Sequence, residues 1–220
     1  MIKLGIVSSK KYLRSKQSTE FFRYLDSENI SYKKLILEDK NYDNESKDNF
    51  NLIISIGGDG TALKAMKFGW SNSAPVLNLG TGRVGYLVKS FENINLQKVI
   101  KGDMNNFKTR VPIIQNNQEG EPAFNEIVII KNSPTRMLDI KIETYDQEVT
   151  LRADGVIIST SMGSTAYNYS AGGPIVHASI DSLIITPISP FTKFPRSIVL
   201  DKNSEIKITV LKNQDFSVQF

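Results

Sequence analysis

The sequence predicts an α/β N-terminal domain with a Rossmann-like parallel sheet, followed by a mainly antiparallel, β-rich C-terminal domain of sandwich-like type. In the first ninety residues, short apolar runs alternate with segments of helical spacing, which is the pattern of a parallel sheet. Later runs have a period of two: Leu138, Ile140 and Ile142 alternate with charged residues, as expected for half-buried antiparallel strands. We place the boundary near residue 90, so that the domains span residues 1–90 and 91–220.

Four apolar runs are the predicted strands of the first domain: residues 2–7, 32–37, 51–56 and 75–79. Apolar residues near helical spacing predict a helix over 13–27, and good helix formers predict another over 62–68. The polar segment 38–49 is expected to be a loop.

The second domain is predicted to begin with a helix over 94–101, which Gly102 ends. Short β-rich runs bounded by turn residues follow, and each is a predicted strand: residues 110–115, 126–131, 138–144, 149–151, 156–160, 183–186, 197–200 and 206–210.

Composition excludes several classes of function. The chain has 220 residues, 40% of them hydrophobic, and no cysteine, which excludes a disulfide framework, a thiolate zinc site and a cysteine nucleophile. Because no apolar run approaches the roughly 18 residues of a membrane span and the N-terminus lacks a signal-peptide layout, we expect a cytoplasmic protein. The net charge of +4 fits a lysine-rich surface, and without a basic arm it predicts no nucleic-acid partner.

The segment Gly57-Gly58-Asp59-Gly60-Thr61 joins the third predicted strand to a helix. Backbone N–H groups of such a turn can bind phosphate, but Asp59 would repel it. Two interpretations stay open: a turn residue that caps the helix, or an acid that orients or deprotonates a hydroxyl attacking a phosphoryl group. The turn is neither a Walker A loop nor a G-x-G-x-x-G fingerprint. Phosphoryl transfer would also need charge neutralisation, for which a metal ion and Lys64 are candidates.

Two further segments carry candidate ligand contacts. An apolar run after Asp154 leads into residues 159–174, which are rich in Ser, Thr, Gly, Ala and Tyr and favour a segment that lines a ligand. The pair Asn125-Glu126 could hold the vicinal hydroxyls of a ribose, although a polar pair at a strand start is the alternative. A Ser-His-Asp hydrolase would have to use His177, the only histidine, but the sequence has no G-x-S-x-G nucleophile motif. His177 is therefore interpreted as structural.

Taken in order, these motifs resemble the NAD kinases, which phosphorylate the 2′-hydroxyl of the adenosine ribose of NAD to give NADP. The motifs that carry the resemblance are Gly57-Gly58-Asp59-Gly60-Thr61, Gly82-Arg83-Val84-Gly85-Tyr86-Leu87, Asn125-Glu126, Asp154-Gly155 and the run from Gly163-Ser164-Thr165-Ala166-Tyr167 to Gly172-Gly173-Pro174. The first of these is shared with lipid kinases, whereas the segment after Asp154-Gly155 is far more specific.

The resemblance implies that Asp59 is the catalytic acid/base facing the ribose hydroxyl. It implies that Asn125 and Glu126 contact the adenosine part, that Asp154 contacts the nicotinamide end, and that residues 165–167 form the adenine pocket. Tyr86 stands where the family usually has Phe. The residues that the resemblance implies for substrate binding are Gly58, Gly60, Thr61, Tyr86, Asn125, Glu126, Asp154, Ser159, Thr165, Ala166, Tyr167 and Ser170.

The resemblance also implies a divalent cation, usually Mg²⁺, a phosphoryl donor that is ATP or polyphosphate, and a homodimer or homotetramer. Asn78-Leu79-Gly80 and Phe191 depart from the family, which usually has Gly-Ile-Asn and commonly His at these places. Two alternatives remain: a non-catalytic NAD(P)-binding sensor, which the change at Phe191 motivates, and a related lipid or sugar kinase. The residues Gly82-Arg83 count against the lipid kinases, which usually have Asn-Asp there.

Overall fold

The chain divides into two compact units, Met1–Lys108 and Thr109–Phe220. The structure is a computed structural model. It describes residues 2–39, 48–81, 85–105, 107–108, 110, 112–114, 122–145, 147–177, 179–191 and 196–220. The predicted motif residues Gly82, Arg83 and Val84 lie outside the described residues.

The first unit alternates strands and helices. Its strands, in the described part, are β1 (Lys3–Ser8), β2 (Ser31–Ile36), β3 (Leu52–Ile56), β4 (Val76–Gly80) and β5 (Lys89–Ser90). Its helices there are α1 (Lys10–Leu13), α2 (Lys16–Ser27), α3 (Asp59–Ser71) and α4 (Leu96–Ile100). Helix α3 begins at Asp59, three residues before the predicted start, so Asp59 lies in its first turn.

The five strands form one sheet in the order β2-β1-β3-β4-β5, and every neighbouring pair is parallel. The carboxyl ends of parallel strands meet at one edge of the sheet, where ligands of such folds bind. The Gly57–Thr61 turn follows β3 at this edge, and Thr81 follows β4 there. The predicted parallel sheet is therefore confirmed, with the glycine turn at its carboxyl edge.

The central strands β1 and β3 of the first unit are buried on both faces. On one face Leu4, Ile6 and Ile54 pack with Phe21 and Leu25 of α2. On the other face Val7 and Ile53 pack with Phe68 of α3. Burial on both sides explains why β1 and β3 are largely continuous apolar runs rather than alternating ones.

The first unit extends further along the chain than the boundary near residue 90 that the sequence suggested. Phe91, Ile94, Leu96, Val99 and Phe107 all pack against the core that β1 and α2 form. Their burial on this core draws residues 91–108 into the first unit, and the division falls between Lys108 and Thr109.

The second unit is β-rich. Its strands, in the described part, are β6 (Glu126–Lys131), β7 (Leu138–Glu143), β8 (Glu148–Ala153), β9 (Gly155–Thr160), β10 (Ser182–Ile188), β11 (Ile198–Asp201), β12 (Lys207–Val210) and β13 (Phe216–Gln219). A 3₁₀ turn (Gly163–Thr165) and the short helix α5 (Tyr167–Ser170) follow β9. The sequence did not predict β13, and of the predicted strand 110–115 the structure describes only residues 110 and 112–114, with one bridge from Ile113 to Ala123.

Two antiparallel sheets share the core of this unit. The orders are β11-β10-β9-β6-β13 and β12-β7-β8, and the recorded pairings are antiparallel. Ile140 and Leu151 of the smaller sheet pack in one cluster with Val156, Ile158 and Ile185 of the larger sheet. Inner faces that interdigitate in this way define a sandwich, so the predicted β-rich architecture is confirmed. Over the described residues, no helix is long and apolar enough to cross a membrane.

Candidate functional site

The glycine turn of the first unit places Asp59 at the start of a thirteen-residue helix. The N–H of Gly57 donates to the carbonyl of Leu79 at 2.9 Å, which extends the pairing of β3 with β4 by one residue. Gly58 caps α3, and its carbonyl accepts the N–H groups of Thr61 and Ala62, each at 3.0 Å. The first N–H groups of a helix have no carbonyl partner inside it, so the start of α3 offers donors to an anion.

Gly57 and Thr61 fit together inside the turn. A Cβ atom placed on Gly57 would lie 2.5 Å from Oγ1 and 2.8 Å from Cβ of Thr61, whose side chain is buried. Thr61 therefore packs over the backbone of Gly57, which a larger residue would push away. Gly60, in contrast, is exposed and has open space around it.

The carboxylate of Asp59 is held by backbone from the loop that follows β4. The N–H of Tyr86 donates to Oδ2 of Asp59, and the N–H of Leu87 donates to Oδ1, both at 3.1 Å. The side chain of Tyr86 itself is 81% exposed. Among the predicted residues of the first unit, the structure thus brings Asp59 together with the main chain of Tyr86.

In the second unit, Asn125 and Glu126 lie where β6 begins and β9 ends. Glu126 is paired with Ser159 across the two strands. The carbonyl of Asn125 accepts the N–H of Thr160 at 2.8 Å and the hydroxyl of Ser159 at 3.3 Å. A Cβ atom on Gly163 would lie within 2.7 Å of three backbone atoms of Asn125, so only glycine allows this approach. Backbone contacts therefore fix Asn125.

Glu126 is left with an oxygen that has no partner. Among the described residues, Oε2 of Glu126 is buried without a hydrogen bond. Burial raises the pKa of Glu126 from 4.5 to about 7, and a hydrogen bond from the backbone of Tyr167 acts in the opposite direction. A buried acceptor that lacks a partner is costly, so this oxygen is suited to a hydroxyl of a ligand.

The segment that carries Thr165, Ala166 and Tyr167 is held by the buried side chain of Ser164. The Ser164 hydroxyl lies 2.7 Å from the carbonyl of Ser161 and 3.1 Å from both the carbonyl and the N–H of Val176. Thr165 and Ala166 are half-buried, whereas Tyr167 and Ser170 are exposed.

Asn168 is a residue of this segment that the sequence analysis missed. It is fully buried, and its amide nitrogen donates to the carbonyls of Ser164 at 3.1 Å and Pro174 at 3.0 Å. Its amide oxygen accepts the hydroxyl of Thr186 at 2.7 Å. Gly173 is required beside it, because a Cβ there would lie within 2.6 Å of the Asn168 side chain. The only signal in the sequence is an amide inside a run of small residues.

Asp154 lies at the opposite end of β9 from Ser159 and its partner Glu126. It precedes β9, whereas Ser159 and Glu126 are paired at the far end of that strand, about 16 Å away at roughly 3.3 Å per residue. Its carboxylate contacts Nζ of Lys131 at 2.5 Å, an ion pair rather than a well-directed hydrogen bond. This unit therefore does not bring Asp154 together with Glu126.

Two other residues of interest are exposed. Phe191 is 74% exposed, and its N–H donates to the carbonyl of Arg152 at 2.8 Å. His177 is exposed, and its Nδ1 lies 2.7 Å from the hydroxyl of Ser179. The described residues contain no cluster of three or more acidic or histidine side chains that could hold a metal ion by themselves.

Comparison with models of known families identifies the same family in both units. A family model described as the ATP-NAD kinase N-terminal domain matches residues 6–106. A model described as the ATP-NAD kinase C-terminal domain matches residues 124–220. The resemblance that the motifs indicated is confirmed.

Individual relatives are similar over most of this chain. An NAD kinase from Methanothermobacter thermautotrophicus is 38% identical over 166 residues, which are 74% of this chain and 59% of the relative. An NAD kinase from Flavobacterium johnsoniae is 37% identical over 204 residues, 85% of this chain and 68% of the relative. A bifunctional NADP phosphatase/NAD kinase from Methanocaldococcus jannaschii is 35% identical over 224 residues, 94% of this chain but only 38% of that protein. The chain thus spans between about two-fifths and two-thirds of the length of these relatives.

Solved structures agree with the fold. A crystal structure of an NAD kinase from Archaeoglobus fulgidus in complex with ATP has a TM-score of 0.74 at 25% identity, covering 95% of this chain and 81% of that one. Yeast NADH kinase complexed with NADH has a TM-score of 0.72 at 21% identity and covers 98% of this chain and 70% of that one, a likeness that shows the fold alone.

Proposed function

This chain belongs to the NAD kinase family, and we propose that it transfers a phosphoryl group from ATP, or from polyphosphate, to the 2′-hydroxyl of the adenosine ribose of NAD. The observation that carries the proposal is the placement of Asp59. A carboxylate in the first turn of a helix, held by two backbone amides, combines a proton acceptor with an anion-binding helix start.

Asp59 acts on the acceptor hydroxyl. The ribose 2′-oxygen attacks the terminal phosphorus of the donor, the bond from that phosphorus to its leaving oxygen breaks, and Asp59 takes the hydroxyl proton. Each oxygen of Asp59 accepts one amide in the resting protein and retains a lone pair for this proton. Such acid–base assistance contributes about 10²- to 10⁴-fold to a rate.

The start of α3 acts on the donor. Its N–H groups and the positive end of the helix dipole favour the negative charge of phosphate oxygens. Lys64, exposed on the same helix, adds a cation near this end. An acid in a phosphate-binding turn is then no longer a conflict, because the two groups act on different substrates. The N–H groups bind the phosphate of the donor, and Asp59 accepts the proton of the ribose hydroxyl.

The second unit binds the dinucleotide. The unpartnered oxygen of Glu126 accepts a ribose hydroxyl, and Asn125 beside it is held rigidly enough to contribute a second contact. Residues 165–167 form the adenine pocket, as the resemblance implies, and the Ser164 and Asn168 hydrogen bonds fix their backbone. The role of Asp154 at the nicotinamide end stays a prediction.

A divalent cation, for which Mg²⁺ is the first choice, fits this set of residues as a partner of the donor. Mg²⁺ is typically held by one or two carboxylates together with substrate phosphates, and the described residues offer no all-protein cage. Bound there, it would neutralise phosphate charge. The homodimer or homotetramer and the cytoplasmic location stay predictions from the sequence.

The test is NADP synthesis by the purified protein. Protein is incubated with NAD and Mg²⁺ and either ATP or polyphosphate, and NADP is measured, with an Asp59→Asn preparation to report contaminating kinase. We expect NADP with at least one donor and a 2′-phosphate by ³¹P NMR. No NADP with either donor, from protein that still binds NAD, would instead favour the non-catalytic sensor. Repeating the assay with NADH identifies the preferred acceptor.

A further inference from the structure

We propose that Gly85 and the backbone amides of Tyr86 and Leu87 form a clamp that positions the carboxylate of Asp59 for proton transfer. The proposal rests on the proposed function of Asp59 and adds a positioning role for the glycine loop that follows β4. We call residues 85–87 the clamp loop.

The pattern of hydrogen bonds around Asp59 supports the clamp. Two consecutive amides of the clamp loop each donate to a different oxygen of one carboxylate, both at 3.1 Å. Hydrogen bonds to an ionised acceptor are among the stronger ones in proteins. A carboxylate bound at both oxygens has a fixed orientation, whereas a single bond would leave it able to rotate.

The space beside the carboxylate of Asp59 admits only glycine at position 85. A Cβ atom on Gly85 would lie within 2.8 Å of Cγ and both oxygens of Asp59. Real Cβ atoms essentially never lie under 3.0 Å from such neighbours, so any other residue at position 85 would displace either the carboxylate or the loop. Glycine is required here for close approach and not for an unusual φ, because the positive-φ glycines in the described part are Gly102 and Gly172.

The clamp loop is attached to the parallel sheet of the first unit. Val88, directly after it, is buried and packs against Gly80. The next two residues form β5, which pairs in parallel with Leu79 and Gly80 of β4. Strand β4 pairs with β3, which ends at the turn that carries Asp59. One sheet therefore fixes both the acid and the amides that hold it.

The clamp has a specific kinetic consequence. A misplacement of about 1 Å in a catalytic group can cost about 10²-fold in rate while the bound substrates stay in place. Loss of the clamp should therefore lower kcat and leave the KM values for NAD and the donor within about threefold. A purely structural role would lower the amount of folded protein instead.

The most selective test replaces the peptide N–H of Tyr86 by an ester oxygen, through incorporation of the α-hydroxy acid of tyrosine. This removes one donor to Asp59 and changes no side chain. We expect kcat to fall about 10-fold, a smaller loss than that from full displacement of the carboxylate. The same replacement at Tyr145, which is fully exposed in the second unit, is the matched control and should leave kcat unchanged. An unchanged kcat in the Tyr86 ester would overturn the clamp.

Gly85→Ala tests the space beside the carboxylate. We expect kcat to fall about 10²-fold with both KM values within about threefold. If this variant fails to fold, the kcat of the Tyr86 ester alone tests the clamp. A folded Gly85→Ala variant with wild-type kcat would contradict the proposal.

Hydrogen exchange tests the clamp without any activity. In an Asp59→Ala variant the amides of Tyr86 and Leu87 lose their acceptor, so their exchange should accelerate at least about 10-fold. An Asp26→Ala variant, which removes an exposed carboxylate elsewhere in the first unit, should not change it. Equal exchange in all three proteins would refute the clamp. Because this readout needs no NADP, it separates failure of the clamp from failure of the proposed function.

Discussion

Asp59, which begins helix α3 of the first unit, and Glu126, which begins strand β6 of the second, are both carboxylates, and the protein treats them differently. Both oxygens of Asp59 accept backbone amides in the resting protein. Glu126 accepts a backbone hydrogen bond from Tyr167, yet its Oε2 is buried and lacks a partner among the described residues. The first acid is oriented before any ligand arrives, whereas the second retains an acceptor that a ligand can satisfy.

The two regions also differ in the contacts that hold them in place. The glycine turn is fixed by main chain, through a parallel sheet and the start of α3. Residues 163–170 of the second unit are fixed by side chains, chiefly the buried hydroxyl of Ser164 and the amide of Asn168. Under the proposed function, the group that does chemistry belongs to a preorganised backbone frame, and the groups that bind substrate belong to a segment held by polar side chains.

The largest effect is expected at Asp59. Asp59→Asn keeps the shape of the side chain but removes the proton acceptor, so turnover of NAD to NADP should fall about 10³-fold. Asp26→Asn changes an exposed carboxylate that also accepts a hydrogen bond, from Tyr32, and should retain wild-type turnover. A loss of less than about threefold at Asp59 would remove the distinction between the two acids.

The next effect is on stability and concerns Asn168. Asn168→Ala deletes three buried hydrogen bonds and leaves the carbonyls of Ser164 and Pro174 without this donor, so the free energy of unfolding should fall by about 2–3 kcal/mol in urea denaturation. The control Asn49→Ala removes an exposed amide and should stay within about 0.5 kcal/mol of the wild type. Equal stability of the two variants would show that the segment is held in another way.

A smaller effect concerns pH and Glu126. The folded protein holds the proton of Glu126 up to about pH 7, whereas the unfolded chain releases it near 4.5, so this group lowers stability as the pH rises between these values. Glu126→Gln removes the titration, and its Tm should match the wild type near pH 4.5 and exceed it by about 3 °C at pH 8. Glu205→Gln, at an exposed site, should show no such divergence. Parallel Tm curves for Glu126→Gln and the wild type would contradict the assignment.

Hydrophobic periodicity was sufficient to predict both architectures, because continuous apolar runs and alternating runs reflect burial on two faces and on one face. Strand β13 was missed, since Phe216–Gln219 is short and gains its order by pairing with β6. The glycines around Asp59 were sufficient to predict the turn, whereas the roles of the other site motifs were predicted from the resemblance to a family.

Other features of the site have no signature in the sequence. The donors to Asp59 are backbone amides, which every residue but proline carries. The side chains of Tyr86 and Leu87 therefore do not predict these two hydrogen bonds. The partners of Asn168 include Thr186, eighteen residues away. Asp154 is adjacent in sequence to the strand that leads into the ligand segment, but an extended strand carries its two ends far apart.

The most direct test of the division between chemistry and binding measures the NAD dissociation constant and NADP turnover on the same preparations of Asp59→Asn and Glu126→Ala. We predict that Asp59→Asn binds NAD within about threefold of the wild type but loses turnover about 10³-fold. At pH 8, above the pKa of about 7 of Glu126, Glu126→Ala should bind NAD about 30-fold more weakly, as expected for loss of a hydrogen bond to a charged group, and recover most turnover at saturating NAD. Joint loss of binding and turnover in both variants, or turnover retained in Asp59→Asn, would contradict the account.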